Sequence, residues 1–217
     1  MIAHEAPAPT AKAGSQRVQI SIPQASVADN APLVARLTDL INAVYTETEE
    51  GLFAPSYRRT SRDEVRQLLK RRELALAFLL PVSLASPCRC DPPEAEAPVS
   101  DAETVIGCIR IVSLSPTHGD FGMLACDAAY RGRGAGRALV EFAEEHCRVA
   151  LGKTAMQCEL LVSRAFDHPF KARNQAWYER MGYRVVGRLD FAAEHPHLAG
   201  HLVTEGELRV FEKTLVV

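Results

Sequence analysis

The segment YRGRGAGRAL (130–139) constrains this chain more than any other. Three glycines (Gly132, Gly134, Gly136) and three arginines (Arg131, Arg133, Arg137) fall within seven residues, with Ala135 among them. An apolar run ending near Cys126 precedes them, and a helical pattern begins at Gly134. Glycine allows positive φ and close approach of the backbone to a ligand. The first N–H groups of a helix have no intrahelical partner, and with the helix dipole they attract anions. Arginine adds charge suited to a diphosphate. The segment therefore reads as a phosphate cradle between a strand and a helix. It is not the P-loop, because Gly152-Lys153-Thr154 has Cys147 where that motif needs its upstream glycine. Nor is it the dinucleotide fingerprint, because Gly132-x-Gly134 is followed by Arg137 rather than glycine.

The flanking pattern is that of an α/β protein. RVQISIP (17–23) alternates with period two and reads as a strand. Asp29 or Asn30 can cap a helix that has Pro32 in its first turn and Leu33, Leu37, Leu40, Ile41 and Val44 on one face. Ser61 with Glu64 is a capping box for a second helix ending near Arg72, and 73–81 reads as a strand. Strands follow at 104–114 and 121–127, a helix at 134–151, a strand at 156–163, a helix at 170–182 closed by Gly182, and strands at 183–189 and 207–216. This order predicts one layer of mixed sheet with helices on both faces. Residues 1–16 are rich in Ala and Pro without periodicity and are expected to be a disordered arm. The five prolines from Pro81 to Pro98 mark a flexible insert at about 82–103 within a single domain over 17–217.

Charge narrows the partners. The 217 residues carry 25 Lys+Arg against 27 Asp+Glu, a net charge of −2, which argues against nucleic acid as a partner. No run approaches the roughly 18 uncharged apolar residues of a membrane span, and none near the N-terminus resembles a secretory leader, so a cytoplasmic location is expected. Cys108, Cys126, Cys147 and Cys158 lie in apolar runs, and Cys88-x-Cys90 alone is too little for zinc. His195, His197 and His201 form an H-x-H-x3-H pattern, but Pro196 and Gly200 interrupt the helix that ligand spacing needs. No metal site is expected there, and the stretch reads as a cap on a pocket or sheet edge.

Arg131, Gly134 and Gly136 after an apolar strand resemble the acyl-CoA loop of the GNAT superfamily of N-acetyltransferases. AWYERMGYRVV (176–186) resembles its second signature, and the stretch from His168 to Leu215 is similar to a fungal branch of the superfamily. The resemblance implies a GNAT-like, mainly antiparallel sheet of six or seven strands with helices on both faces. It implies an acetyl-CoA-dependent N-acyltransferase, in which acetyl-CoA and a primary amine react directly in a ternary complex. It gives Arg131, Gly132, Arg133, Gly134, Ala135, Gly136 and Arg137 to the CoA pyrophosphate. It gives Leu124, Ala125 and Cys126 to the pantetheine arm. Tyr178 would protonate the departing thiolate, and a backbone N–H near Cys126 or Asp127 would polarise the thioester.

Many members carry Asn seven residues before this tyrosine, where this chain has Lys171, a residue expected to reach a CoA phosphate. Asn174 is expected to face elsewhere. For the base that neutralises the amine, Asp120 occupies the position of the histone-type glutamate, although it reads equally as a turn residue. Glu159 is a second candidate, because a charged residue inside a strand is unusual. Glu49 and Glu50 lie where the family builds its acceptor site. The acceptor is expected to be a small-molecule amine, and the protein a monomer or homodimer. The competing reading is a non-catalytic acyl-CoA-binding or regulatory protein on the same fold.

Overall fold

A computed structural model describes residues 17–80 and 104–215. The expected N-terminal arm and the whole Pro-rich insert, with Cys88-x-Cys90 in it, lie outside these residues. One seven-stranded sheet runs in the order β1-β2-β3-β4-β5-β7-β6. Its strands are β1 (Arg17–Ser21), β2 (Leu74–Leu80), β3 (Thr104–Ser113), β4 (His118–Cys126), β5 (Ala155–Ser163), β6 (Arg184–Asp190) and β7 (Gly206–Thr214). Every neighbouring pair is antiparallel except β4 and β5. The sheet matches the expected mixed, mainly antiparallel architecture.

Helices α1 (Ala31–Thr48) and α2 (Arg62–Lys70) cover one face, and α3 (Ala135–Glu145) and α4 (Pro169–Arg180) the other. Strand β2 shows why the sheet can be covered twice. It is LALAFLL, apolar at both parities, as a strand between two helical layers must be. Ala75, Ala77 and Leu79 join the core under α3 and α4, while Leu74, Leu76 and Phe78 join the core under α1 and α2.

The helix caps follow local chemistry. Asn30 accepts a hydrogen bond from the Leu33 N–H at 3.0 Å and starts α1. Ser61 accepts one from the Glu64 N–H at 3.2 Å and starts α2. Only that half of the capping box forms, because the Glu64 carboxylate accepts from the Thr60 hydroxyl instead, at 2.8 Å. The expected helix over 134–151 ends as an α-helix at Glu145, and a single wide turn, His146–Ala150, continues it. The expected strand at 121–127 begins earlier, at His118, so Asp120 is a strand residue rather than a turn residue. Two short helices, α5 (Phe191–Glu194) and α6 (Pro196–Ala199), fill the histidine-rich stretch. Among the described residues, no helix is long and apolar enough to cross a membrane.

Two irregularities in β4 open the sheet. Its pairing with β5 ends at Phe121↔Cys158, so the two strands separate beyond that point. Its pairing with β3 slips between Cys108↔Ala125 and Arg110↔Gly122, where β4 carries one extra residue. Met123 in this bulge has φ +47°, unfavourable for an L residue by about 1–2 kcal/mol. Its side chain is buried in the core under α1 and α2, which offsets that cost.

Candidate active site

The gap between β4 and β5 is the mouth of a cavity of about 560 Å³. Leu124 and Cys126 line it from β4, Glu159 to Leu161 from β5, the glycine loop from the N-terminus of α3, and Lys171, Asn174, Trp177 and Tyr178 from α4. Beyond Phe121 the β5-facing side of β4 has no strand partner among the described residues, so its backbone polar groups are open to an extended ligand. The Asp127 N–H donates to the Ile106 carbonyl at 2.8 Å, so it is not available to polarise a thioester. Antiparallel ladders alternate, so Cys126, the next residue back, turns its N–H away from β3 and toward the gap. The Ala125 side chain is buried on the opposite face, in the core under α1 and α2, and lies outside the cavity.

The glycine loop takes the conformation its sequence requires. Gly132 has φ +76° and Gly134 has φ +86°, both in the left-handed region. Open space lies where a Cβ would stand at either residue. Gly134 caps α3, and Ala138 is the first residue to donate back to it, at 3.0 Å. The N–H groups of Ala135, Gly136 and Arg137 are therefore without intrahelical partners and sit at the cavity wall.

The arginines divide. Arg131 lines the cavity and makes a two-pronged ion pair with Glu47 of α1, at 2.6 and 2.5 Å. The guanidinium's hydrogen bonds hold the Glu47 carboxyl below its ordinary range. Arg137 also lines the cavity, paired loosely with Glu141 at 3.4 Å on the exposed side of α3. Arg133 does not line it; its guanidinium lies 5.4 Å over the Tyr130 ring.

Lys171 corrects the expectation placed on it. The side chain is 6% exposed and its ammonium meets the Glu49 carboxylate at 3.0 Å. It faces α1 and is neutralised there, rather than extending to a phosphate. Glu49 is correspondingly not a free carboxylate for an acceptor. Glu50 is exposed on the rim of a neighbouring cavity of about 390 Å³. Asn174 also differs from expectation, because Lys171, Asn174 and Tyr178 follow helical i, i+3, i+7 spacing and share the cavity wall.

Tyr178 is buried at the base of the cavity, against Trp177 (5.2 Å between ring centroids), Phe211 (5.5 Å) and Phe121 (5.9 Å). Its hydroxyl has no hydrogen-bond partner among the described residues. Burial, with the nearby Cys158 and Tyr45, pushes the phenol well above its ordinary value, so it keeps its proton through the neutral range. Burial also pushes the Cys126 thiol up to about 11, with Arg131 pulling weakly against it, which suits a wall and not a nucleophile.

Asp120 and Glu159 come together on the other face of the gap, in a smaller cavity of about 150 Å³. Glu159 is common to both cavities, whereas Asp120 lines only the smaller one. Arg110 of β3 donates to Asp120 at 2.8 Å. His195 approaches Glu159 at 3.9 Å, so this part of the histidine stretch does close a pocket. Tyr45, Arg59 and Arg110 also line the smaller cavity, and no local motif marked them. Among the described residues, no group of three His, Cys, Asp or Glu side chains could hold a metal ion.

Comparison with known proteins gives one sequence match and many structural ones. Residues 97–185 match the model of the acetyltransferase (GNAT) domain. No curated protein matches the chain by sequence. Among solved structures, the PaiA N-acetyltransferase from Thermoplasma acidophilum in complex with coenzyme A is 15% identical, with a TM-score of 0.58 over 91% of this chain and 99% of that one. YncA from Salmonella typhimurium, described as a putative acetyltransferase with its cofactor acetyl-CoA, is 13% identical, with a TM-score of 0.55 over 93% and 95%. N-acetylglutamate synthase from Neisseria gonorrhoeae, complexed with coenzyme A and N-acetyl-glutamate, is 12% identical, with a TM-score of 0.56. The alignment covers 94% of this chain but only 37% of that one. Residues 97–185 thus resemble a GNAT acetyltransferase domain in sequence, and more than nine-tenths of the chain shares the fold of these solved structures.

Proposed function

We propose that this chain is an acetyl-CoA-dependent N-acyltransferase that moves an acetyl group to the primary amine of a small molecule, by direct transfer in a ternary complex. The observation that carries this reading is the convergence on one gap of an open β4 edge, the free N–H groups at the start of α3, a protonated phenol and a carboxylate. The glycine loop suits a pyrophosphate, because Gly132 and Gly134 already hold positive φ and open space lies where a Cβ would stand at either. The solved structures that hold CoA or acetyl-CoA on this fold support the same assignment.

The N–H groups of Ala135, Gly136 and Arg137 would hold the pyrophosphate, with Arg137 and, on release from Glu47, Arg131 adding charge. The edge of β4 from Gly122 to Cys126 would orient the pantetheine arm. Acetyl-CoA supplies an acetyl group activated as a thioester. Cys126 N–H is placed to stabilise negative charge on the carbonyl oxygen. Glu159, at the junction of the two cavities, would take the proton of the amine, directly or through water, with Asp120 behind it. Tyr178 Oη holds the proton that the thiolate needs on leaving.

A thiol-release assay with acetyl-CoA against amines, amino acids and peptides tests this reading, alongside melting curves with acetyl-CoA. Release with at least one acceptor, and a rise in melting temperature with acetyl-CoA, are expected. A rise without release from any acceptor would leave the chain a binding protein.

A further inference from the structure

The 150 Å³ cavity beyond Glu159 contains one cation, Arg59, that no carboxylate of the described residues neutralises. Three of its other charged groups are already matched: Arg110 with Asp120 at 2.8 Å, and Glu49 with Lys171 at 3.0 Å. Arg59 is the exception. Its guanidinium lies 5.2 Å over the Tyr45 ring, and Tyr57 lines the cavity beside it. Glu49 and Glu64 act on it only through space, and no described carboxylate comes within ion-pair distance. Glu159, with His195 at 3.9 Å, is the matching anion, and no Lys or Arg of the described residues pairs with it. The cavity is therefore bipolar, with Arg59 on the loop before α2 and Glu159 on β5, where the cofactor cavity begins.

We infer that Arg59 receives a carboxylate of the acceptor, so that the amine acetylated is an amino acid or a similar small zwitterion. This rests on the proposed acetyl transfer and names its substrate class. A cation drawn out of water with only an aromatic face and a hydroxyl beside it loses solvation that it does not recover internally. A carboxylate supplies what is missing, because the guanidinium fork matches its two oxygens. The same molecule then sets its ammonium toward Glu159, the group placed to deprotonate it beside the thioester. A plain alkylamine meets only half of this arrangement and leaves Arg59 unpaired.

The test is thiol release from acetyl-CoA with matched acceptors: a panel of α-amino acids, the corresponding amino-acid amides, and simple alkylamines. Wild type should favour the acids over their amides by at least about 100-fold in kcat/KM, since a site built to pair a polar group rejects analogues lacking it. Arg59→Gln should bring that ratio near one, and Arg59→Lys should retain part of it. The carboxylic acid lacking the amine should inhibit wild type competitively with the acceptor, and should inhibit Arg59→Gln far less. The melting-temperature rise with acetyl-CoA shows that each variant is folded. Equal turnover of acids and amides by wild type, or faster turnover of alkylamines, overturns the inference while leaving acetyl transfer intact. No turnover of any amine, with the acetyl-CoA shift present, overturns the transfer reading and this inference with it.

Discussion

The Lys171 ammonium and the Glu49 carboxylate, 3.0 Å apart with side chains 6% and 10% exposed, form a buried ion pair that ties α4 to the end of α1 across the 560 Å³ cavity. Removing one member leaves an uncompensated charge away from water, which costs about 3–5 kcal/mol, whereas replacing both with apolar groups is often neutral. Lys171→Met should therefore lower stability by about 3 kcal/mol. Lys171→Met with Glu49→Leu should recover most of that loss. Urea denaturation of the two single variants and the double variant measures the coupling. Additive losses would show that the pair is not a unit.

Tyr178 offers a cleaner separation of chemistry from folding. Its hydroxyl has no hydrogen-bond partner among the described residues, while its ring is packed among Phe121, Trp177, Tyr183 and Phe211. Tyr178→Phe keeps the ring and removes only the proton donor. The expected result is a fall in kcat of about 10² or more, with the acetyl-CoA melting shift retained. A variant with unchanged kcat would assign the thiolate's proton to another donor.

The glycines of the cradle should not be equivalent. Gly134 has φ +86°, so alanine there meets backbone strain of about 1–2 kcal/mol although the space is open. Gly136 has ordinary helical geometry, and an added Cβ would lie 3.6 Å from Cys126 Sγ, an ordinary contact. Gly134→Ala should lower both stability and the acetyl-CoA melting shift, whereas Gly136→Ala should be milder in both. Thermal melts with and without acetyl-CoA make the comparison. Equal effects would remove the argument from positive φ.

What was legible in the sequence is what local chemistry dictates. Positive φ favours glycine, so the turn at Gly132 and Gly134 could be read directly. The two-faced apolar pattern of 74–80 gave a central strand, and Asn30 and Ser61 marked helix starts. The charged residue inside a strand, Glu159, lines both cavities. What could not be read were pairings between distant residues. Lys171 looks like a free cation until α1 brings Glu49 to it from 122 positions away, and Arg131 is engaged by Glu47 from 84 away. Arg59 carries no motif, and only the fold places it in a cavity with Glu159. The bulge at Met123, which opens the gap, depends on the register of β3 against β4 and has no composition signal. Asn174 was misread, since the 3.6-residue period keeps i+3 on the same helical face as Lys171 and places it on the cavity wall.

Asp120 gives a pH dependence of definite sign. Burial pushes its carboxyl up to about 6, with the Arg110 guanidinium pulling against that and the Glu159 charge adding to it. In the unfolded chain an aspartate titrates near 3.9 or so. Between about pH 4 and 6 the folded protein therefore keeps a proton that the unfolded chain has released. Stability should fall as pH rises through that window, by roughly 1–3 kcal/mol, and Asp120 should contribute no further slope above it. Asp120→Asn removes the titration and should flatten this part of the curve. Glu159→Gln should leave most of the slope and instead lower kcat by about 10² or more, because Glu159 alone of the two lines both cavities. Denaturation at a series of pH values, paired with kcat for each variant, separates the two carboxylates. If Asp120→Asn abolishes turnover and Glu159→Gln does not, Asp120 is the proton acceptor and Glu159 only lines the acceptor pocket.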